Sequence, residues 1–247
     1  MSCLKVEDLS ISFGGLAAVQ NITFEVQPGE IMGLIGPNGA GKTTTLNLIS
    51  GLYKADKGKV FLADREVSAL RSFERARLGL GRTFQTPHFL KRSTVSDNLK
   101  LGTDLADQMG YVKSLLGFKG TDFKHEVDEL LEIADFTVRW NDDIDSLSYG
   151  QQKRLEIIRS MLTHPKVMLI DEPAAGLNPN ELEKAVDLMR HAASKGIGIV
   201  LIEHKMDMIM NVCDRIAVLN FGNMIAYGTP KEISSNEDVI VAYLGRD

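Results

Sequence analysis

The run GPNGAGKTT, Gly36 to Thr44, sets glycine, lysine and a hydroxyl at the spacing GxxxxGK[ST], with Gly36, Gly41, Lys42 and Thr43 on the specified positions. These residue types suit a polyphosphate. Backbone N–H groups can close around negative charge where glycines such as Gly39 and Gly41 remove the Cβ, while Lys42 can reach the outer phosphates and the Thr43 hydroxyl can ligate Mg²⁺. Pro37, Asn38, Ala40 and Thr44 complete the loop's contact set. A second constellation lies in VMLIDEP, Val167 to Pro173, where two acids end an apolar run. Asp171, at the strand end, can hold the water shell of Mg²⁺. Glu172, expected to be held extended by Pro173, can polarise an attacking water as a general base.

Three single residues join these by position rather than by type. Gln85, ahead of the turn residue Pro87, has an amide that can both ligate Mg²⁺ and orient a water. His204, delivered by the apolar run Gly198 to Glu203, can donate a hydrogen bond to a γ-phosphate; the other histidines fall in turns or on polar helix faces. Phe13, before the pair Gly14 and Gly15, is a flat partner on which adenine could stack, although a core phenylalanine fits the same pattern. In LSYGQQKRLEIIRSML, Leu147 to Leu162, Ser148 and Gln151 have capping-box spacing, and Leu155, Ile158, Met161 and Leu162 form an apolar stripe. Ser148, the Gly150 backbone and the helix dipole could then make a further anion site.

The elements that must position these groups are legible around them. Ile31 to Ile35 reads as a buried strand entering the loop, and Thr44 to Ser50 as the helix leaving it. Leu4 to Val26 reads as antiparallel strands, Lys59 to Ala63 with Glu66 and Val67 as a short hairpin, and Ser72 to Leu78 as an arginine-rich helix. Leu80 to Phe84 is expected as the strand that delivers Gln85. From Ser93 to Asp145 the pattern becomes helical, through Val95, Leu99 and Leu101 and then Val127, Leu130, Leu131 and Ala134, with a looser segment at Gly110 to Thr121. Asn178 and Pro179 are expected to break the chain before a helix over Leu182 to Ala193. The fold expected is α/β, with a helical subdomain over 89–149 inserted into a nucleotide-binding core formed by 1–88 and 150–247.

Composition bounds the rest. A chain of 247 residues, 44% hydrophobic and 25% charged, can bury a substantial core. Its apolar runs are far shorter than a membrane span, and Met1 to Glu7 lacks a secretory apolar core, so a cytoplasmic location is expected. Cys3 and Cys213 are too far apart in sequence for a metal-ligand spacing and read as packing residues. A net charge of −5 gives no global electrostatic footprint for nucleic acid, though it leaves room for a local basic face, and nucleic acid is not expected as a partner.

The order Phe13, phosphate loop, Gln85, LSYGQ, VMLIDE and His204 resembles that of the ATP-binding subunits of ABC transporters over essentially the whole chain. The resemblance implies a P-loop NTPase core with a mostly parallel central sheet, an N-terminal antiparallel β subdomain and the inserted helical subdomain. It implies ATP and Mg²⁺ as ligands, with Phe13 on adenine, Lys42 and Thr43 on the phosphates and metal, and Gln85 linking the site to a permease. Glu172 would be the catalytic base, His204 the switch histidine, and Ser148, Gly150 and Gln151 would serve the ATP of a sister subunit packed head to tail. The partners implied are transmembrane permease subunits, a sister ATPase and, indirectly, a solute-binding protein, which places the chain on the inner face of the membrane. The wording SYGQQKRLEIIRSML, IDEPAAGLNPNE, FGGLAAV, GRTFQ and AYLG is most similar to the ATPases of branched-chain amino acid importers, the type called LivG. Tyr149 stands where the wider family has glycine, and Asn178 where it has an interface aspartate; both are typical of this subgroup. A soluble mechanical ATPase, ribosome- or chromosome-associated, is the rival, though such relatives generally carry two nucleotide domains or a long coiled coil. An ATPase of a lipid or lipopolysaccharide exporter would differ only in the permease it serves.

Overall fold

The first strands of the chain, β1 (Leu4–Phe13) and β2 (Leu16–Val26), turn back on each other at Gly14 and Gly15, whose φ angles of 56° and 88° suit glycine. A computed structural model supplies this fold and describes residues 1–101 and 120–244. The looser segment expected from Gly110 therefore lies, up to 119, outside the described residues. The chain divides into two compact units, one formed by Met1–Arg82, Lys166–Glu172 and Ala192–Asp247, the other by Thr83–Pro165 and Pro173–His191. The segment 89–149 lies within the second.

In the first unit, β1 alternates buried Leu4, Val6, Leu9 and Ile11 with outward polar residues, as one-sided antiparallel sheets require. The antiparallel sheet runs β2-β1-β4-β5, with β4 at Lys57–Leu62 and β5 at Arg65–Glu66. A second sheet contains β3 (Ile31–Ile35), β6 (Leu80–Arg82), β7 (Val167–Asp171), β8 (Gly198–Ile202), β9 (Arg215–Asn220) and β10 (Asn223–Gly228), in the order β10-β9-β3-β8-β7-β6. All its pairs are parallel except the β9–β10 hairpin. β3, β7 and β8 are buried at every residue, which is why they read as unbroken apolar runs. Cys3 and Cys213 are buried packing residues, their thiols pushed up to about 11 and about 12 by burial.

Helix α1 (Lys42–Ile49) leaves the phosphate loop, and α2 (Ser72–Arg77) holds its far end. Arg75 of α2 is buried and donates to Leu48 O and Ile49 O, each at 2.7 Å, to Ser68 O at 2.9 Å and to Leu70 O at 3.0 Å. A helix leaves its last carbonyls unpaired and carries negative partial charge there, so a buried cation suits that end. Arg82 adds bonds to Ser50 Oγ at 2.5 Å and Asn47 Oδ1 at 2.8 Å. Three short helices, Met206–Val212, Pro230–Ser234 and Glu237–Leu244, close this unit.

The second unit is helical among its described residues: α3 (Val95–Lys100), α4 (Gly120–Ile133), a 3₁₀ turn at Ile144–Ser146, α5 (Tyr149–Met161) and most of α6 (Pro179–Ser194). Val95, Leu99, Val127, Leu130, Ala134, Leu155 and Ile158 are buried there. Leu101 is not part of that apolar set; α3 ends one residue earlier and Leu101 is exposed. Pro179 opens α6 rather than breaking the chain, because the first helical position needs no N–H. Asn178 caps it: Asn178 Oδ1 accepts from Glu181 N at 3.0 Å and Glu181 Oε2 accepts from Asn178 N at 3.1 Å. The strand before Gln85 is also shorter than expected. β6 pairs with β7 only through Arg82, and the Phe84 N–H goes to Glu156 Oε1 of α5 at 3.3 Å instead of a strand partner. Among the described residues no helix is long and apolar enough to cross a membrane.

Replacing Arg75 with methionine keeps the stem and removes the bonds that Arg75 makes to the end of α1. We expect a loss of about 3 kcal/mol, the scale of uncovering several buried carbonyls. Urea unfolding checks this as a lower midpoint at unchanged slope; an unmoved midpoint would show that α1 does not depend on the cation.

Candidate functional site

The phosphate loop is built where the backbone has no room for side chains. Gly36, with φ 150°, lies so close to Leu219 O that a Cβ would collide with it, and a Cβ on Gly41, with φ 102°, would fall 2.6 Å from Ala18 O. The loop is tied by Ala40 N to Pro37 O and by Gly222 N to Ala40 O, each at 3.1 Å. Asn38, Gly39 and Thr43 are exposed, while Pro37 and Thr44 are half-buried, so the rim and first helical turn face outward. Lys42 is buried and donates to Gly36 O at 2.8 Å and Pro37 O at 3.0 Å. Burial pushes its ammonium below the usual lysine range, and the Glu172 and Asp171 carboxylates act against that. The lysine and the two acids thus share one electrostatic environment, as separate motifs over a hundred residues apart in sequence.

Asp171 ends β7 and is buried, and its carboxylate favours the charged forms of both Lys42 and Arg82. Glu172 is not extended. Its φ is 49°, in the left-handed region, its N–H donates to Ile202 O at 2.9 Å, and its Oε1 lies 2.9 Å from His204 Nε2. Proline disfavours the right-handed helical region for the residue before it, which the left-handed turn also satisfies. His204 thus meets the carboxylate of Glu172. The sequence reading missed what aims it: buried Glu203 folds its Oε2 onto the N–H groups of His204, at 2.7 Å, and Lys205, at 3.0 Å. An acid between an apolar strand and a histidine was the available signal. Phe13 is 48% exposed and meets Tyr53 edge-on with ring centroids 5.5 Å apart, so it is a surface platform and not a core residue.

The second unit holds the remaining candidates. Gln85 is exposed in a bend past β6, with its carbonyl accepting from Tyr149 Oη at 3.4 Å and from Lys153 Nζ. Ser148 caps α5, accepting from Gln151 N at 3.3 Å while Gln151 Oε1 accepts from Ser148 N at 2.9 Å. Gly150 is buried under Glu181, and a Cβ there would push the Glu181 carboxylate off its bond to Asn178 N. Tyr149 lays its ring on Gly176, where a Cβ would come within 2.8 Å of it. The charged residues Lys153, Glu156 and Arg159 on α5 also went unread. Burial pushes the Glu156 carboxyl up to about 7, against the opposing effects of the Phe84 N–H, Arg159 and Lys153.

Comparison with known proteins gives these residues a family setting. Residues 19–175 match the ABC transporter family model, and residues 223–247 match that of the branched-chain amino acid ATP-binding cassette transporter. The chain is 41% identical to the high-affinity branched-chain amino acid transport ATP-binding protein LivG of Escherichia coli K12, over 98% of this chain and 97% of LivG. It is 38% identical to BraF of Pseudomonas aeruginosa, described in the same terms, over 98% and 97% of the two chains. A crystal structure of the ADP conformation of an ATP-binding cassette of an ABC transporter superposes with a TM-score of 0.84 at 31% identity, covering 100% of both chains.

The buried Glu156 yields a pH test. Its folded value of about 7 lies above the ordinary 4.5, so the folded chain keeps a proton that the unfolded chain has released. That contribution to stability is present below the ordinary value and is lost as pH rises through the folded one. The melting temperature of the wild type relative to Glu156→Gln should therefore fall between pH 5 and pH 8; a gap that does not change with pH would mean the carboxyl is ionised throughout.

Proposed function

The chain belongs to the ABC transporter family, and from that premise we propose that it is the ATP-hydrolysing subunit of an importer for branched-chain amino acids or a related small polar solute. The observation that carries the enzymatic reading is the Glu172–His204 contact of 2.9 Å beside Asp171 and the phosphate loop. The importer reading is supported by the near full-length similarity to LivG and BraF and by the match of residues 223–247.

Phe13 would stack on adenine, and N–H groups of the loop between Asn38 and Thr44 would line the phosphates, Pro37 having none and the Ala40 N–H being held by Pro37 O. Lys42, which donates to the Gly36 and Pro37 carbonyls, would turn to the outer phosphates. Thr43, Asp171 and Gln85 would each offer an oxygen donor of the kind Mg²⁺ takes. When bound, that ion neutralises phosphate charge and so opens the terminal phosphoryl group to attack. Glu172 would accept a proton from the attacking water, with His204 fixing the carboxylate's direction and Gln85 the water's. Ser148, Gly150 and Gln151 would face the ATP of a sister subunit, which is how ATP binding would close a dimer. Segment 89–149 is assigned to carrying that motion to the permease subunits on the inner face of the membrane, with solute choice left to them and a binding protein.

Glu172→Gln should bind ATP normally and lose about 10² to 10⁴ in turnover, the usual contribution of a general base. Near-normal hydrolysis would remove Glu172 from that role. The same variant, tagged and held with ATP and Mg²⁺, should co-purify from detergent-solubilised membranes with two hydrophobic permease subunits and a sister ATPase. Recovery with ribosomes or DNA and no membrane protein would overturn the importer reading.

A further inference from the structure

α5 carries a polar stripe besides its apolar one. Tyr149, Lys153, Glu156 and Arg159 follow at spacings of four and three, which puts them on successive turns of one helix face. All four reach one short segment, Phe84–Phe89. Tyr149 Oη donates to Gln85 O at 3.4 Å, and Lys153 Nζ donates to Gln85 O and, at 3.4 Å, to Phe84 O. Glu156 Oε1 accepts from Phe84 N at 3.3 Å, and Arg159 donates to His88 O at 2.7 Å with its guanidinium 4.7 Å from the Phe89 ring centroid. Lys153 and Glu156 are 3% and 2% exposed, so these polar groups have given up water for this backbone.

Almost every bond in the set ends on main-chain atoms. A segment that has left the sheet at Arg82 has no ladder to satisfy its N–H and C=O groups, and α5 satisfies them in place of a neighbouring strand. The path of the chain through Gln85 is thereby set by side chains of α5, whatever the side chains of the segment itself do. The helix that carries this stripe is capped by Ser148.

We propose that Tyr149, Lys153, Glu156 and Arg159 are positioning residues for Gln85: they make the backbone of Phe84–Phe89 move as one piece with α5. A displacement of the Ser148–Gly150 edge is then passed to the Gln85 amide without any change in the helix itself. This rests on the reading of Gln85 as directing water and metal, and of Ser148 and Gly150 as facing a sister subunit's nucleotide.

The test uses the full chain with Lys153→Met and Arg159→Met, which keep the stems and remove the donors. Amide hydrogen exchange should quicken by about tenfold or more in Phe84–Phe89 and stay unchanged in α1. Turnover of ATP should fall about tenfold with KM for ATP within about twofold. Combined with Gln85→Ala, either variant should add no further loss, because both act through one group. Arg159→Lys, which keeps a donor for His88 O, should recover part of the turnover. Unchanged exchange in Phe84–Phe89 overturns the proposal, as do losses that multiply with Gln85→Ala. Normal turnover in Gln85→Ala alone would instead remove Gln85 from the reaction, and the link between the segment and α5 would be decided by exchange.

Discussion

The structure of the first unit depends on a backbone that must pass from β3 to α1 where neighbouring carbonyls leave no room for a side chain. Gly36 lies against Leu219 O and Gly41 against Ala18 O, so the loop is pressed between the β9–β10 hairpin and β2. That closeness is what gives the loop one shape. Oriented amides hold an anion well only if they do not have to reorganise around it, and a loop wedged between carbonyls cannot relax into another path. The same crowding brings Lys42 back over the loop, where Gly36 O and Pro37 O accept its protons.

Buried and half-buried cations then do for irregular segments what ladders do for strands. Arg75 and Arg82 hold the end of α1, Arg154 donates to Ala134 O at 2.6 Å, and Lys153 and Arg159 hold Phe84–Phe89. Each such charge is costly to take out of water, and several are met chiefly by carbonyls. Carbonyl oxygens left over at helix ends and bends are plentiful where the regular bonding stops. A guanidinium can serve several at once, which ties two elements with one side chain. Loops that would otherwise be soft become parts of the rigid frame in their own unit.

Much of this was legible in the sequence, for physical reasons that differ by element. β3, β7 and β8 announced themselves because central parallel strands must be apolar at every position, and α5 because Ser148 and Gln151 form a reciprocal cap. The phosphate loop was legible because its chemistry fixes residue types at fixed spacing. What escaped notice depends on tertiary partners. The end of β6 is set by where β7 can pair, and the space over Gly150 is taken by the carboxylate of Glu181. Nor does local sequence say that Glu203 bonds the amide beside it, or that charged residues of α5 are buried against a loop some seventy positions earlier. Pro179 misled because proline breaks a helix interior yet opens a helix well.

The turn at Glu172 shows why two neighbouring acids can have separate work. In a continuing strand, successive side chains point to opposite faces, and a carboxylate after Asp171 would be driven toward the opposite side of the sheet. The left-handed φ of 49° breaks that alternation directly after the last strand residue. Such a conformation costs a non-glycine residue about 1 kcal/mol or more, and it persists only where the surroundings over-determine it. Here Ile202 O takes the amide, Pro173 restricts the alternative, and His204 meets the carboxylate. Asp171 stays buried in the field of Lys42 and Arg82, whereas Glu172 is turned toward a histidine that Glu203 has aimed. One backbone angle thus sends two neighbouring carboxylates to different surroundings.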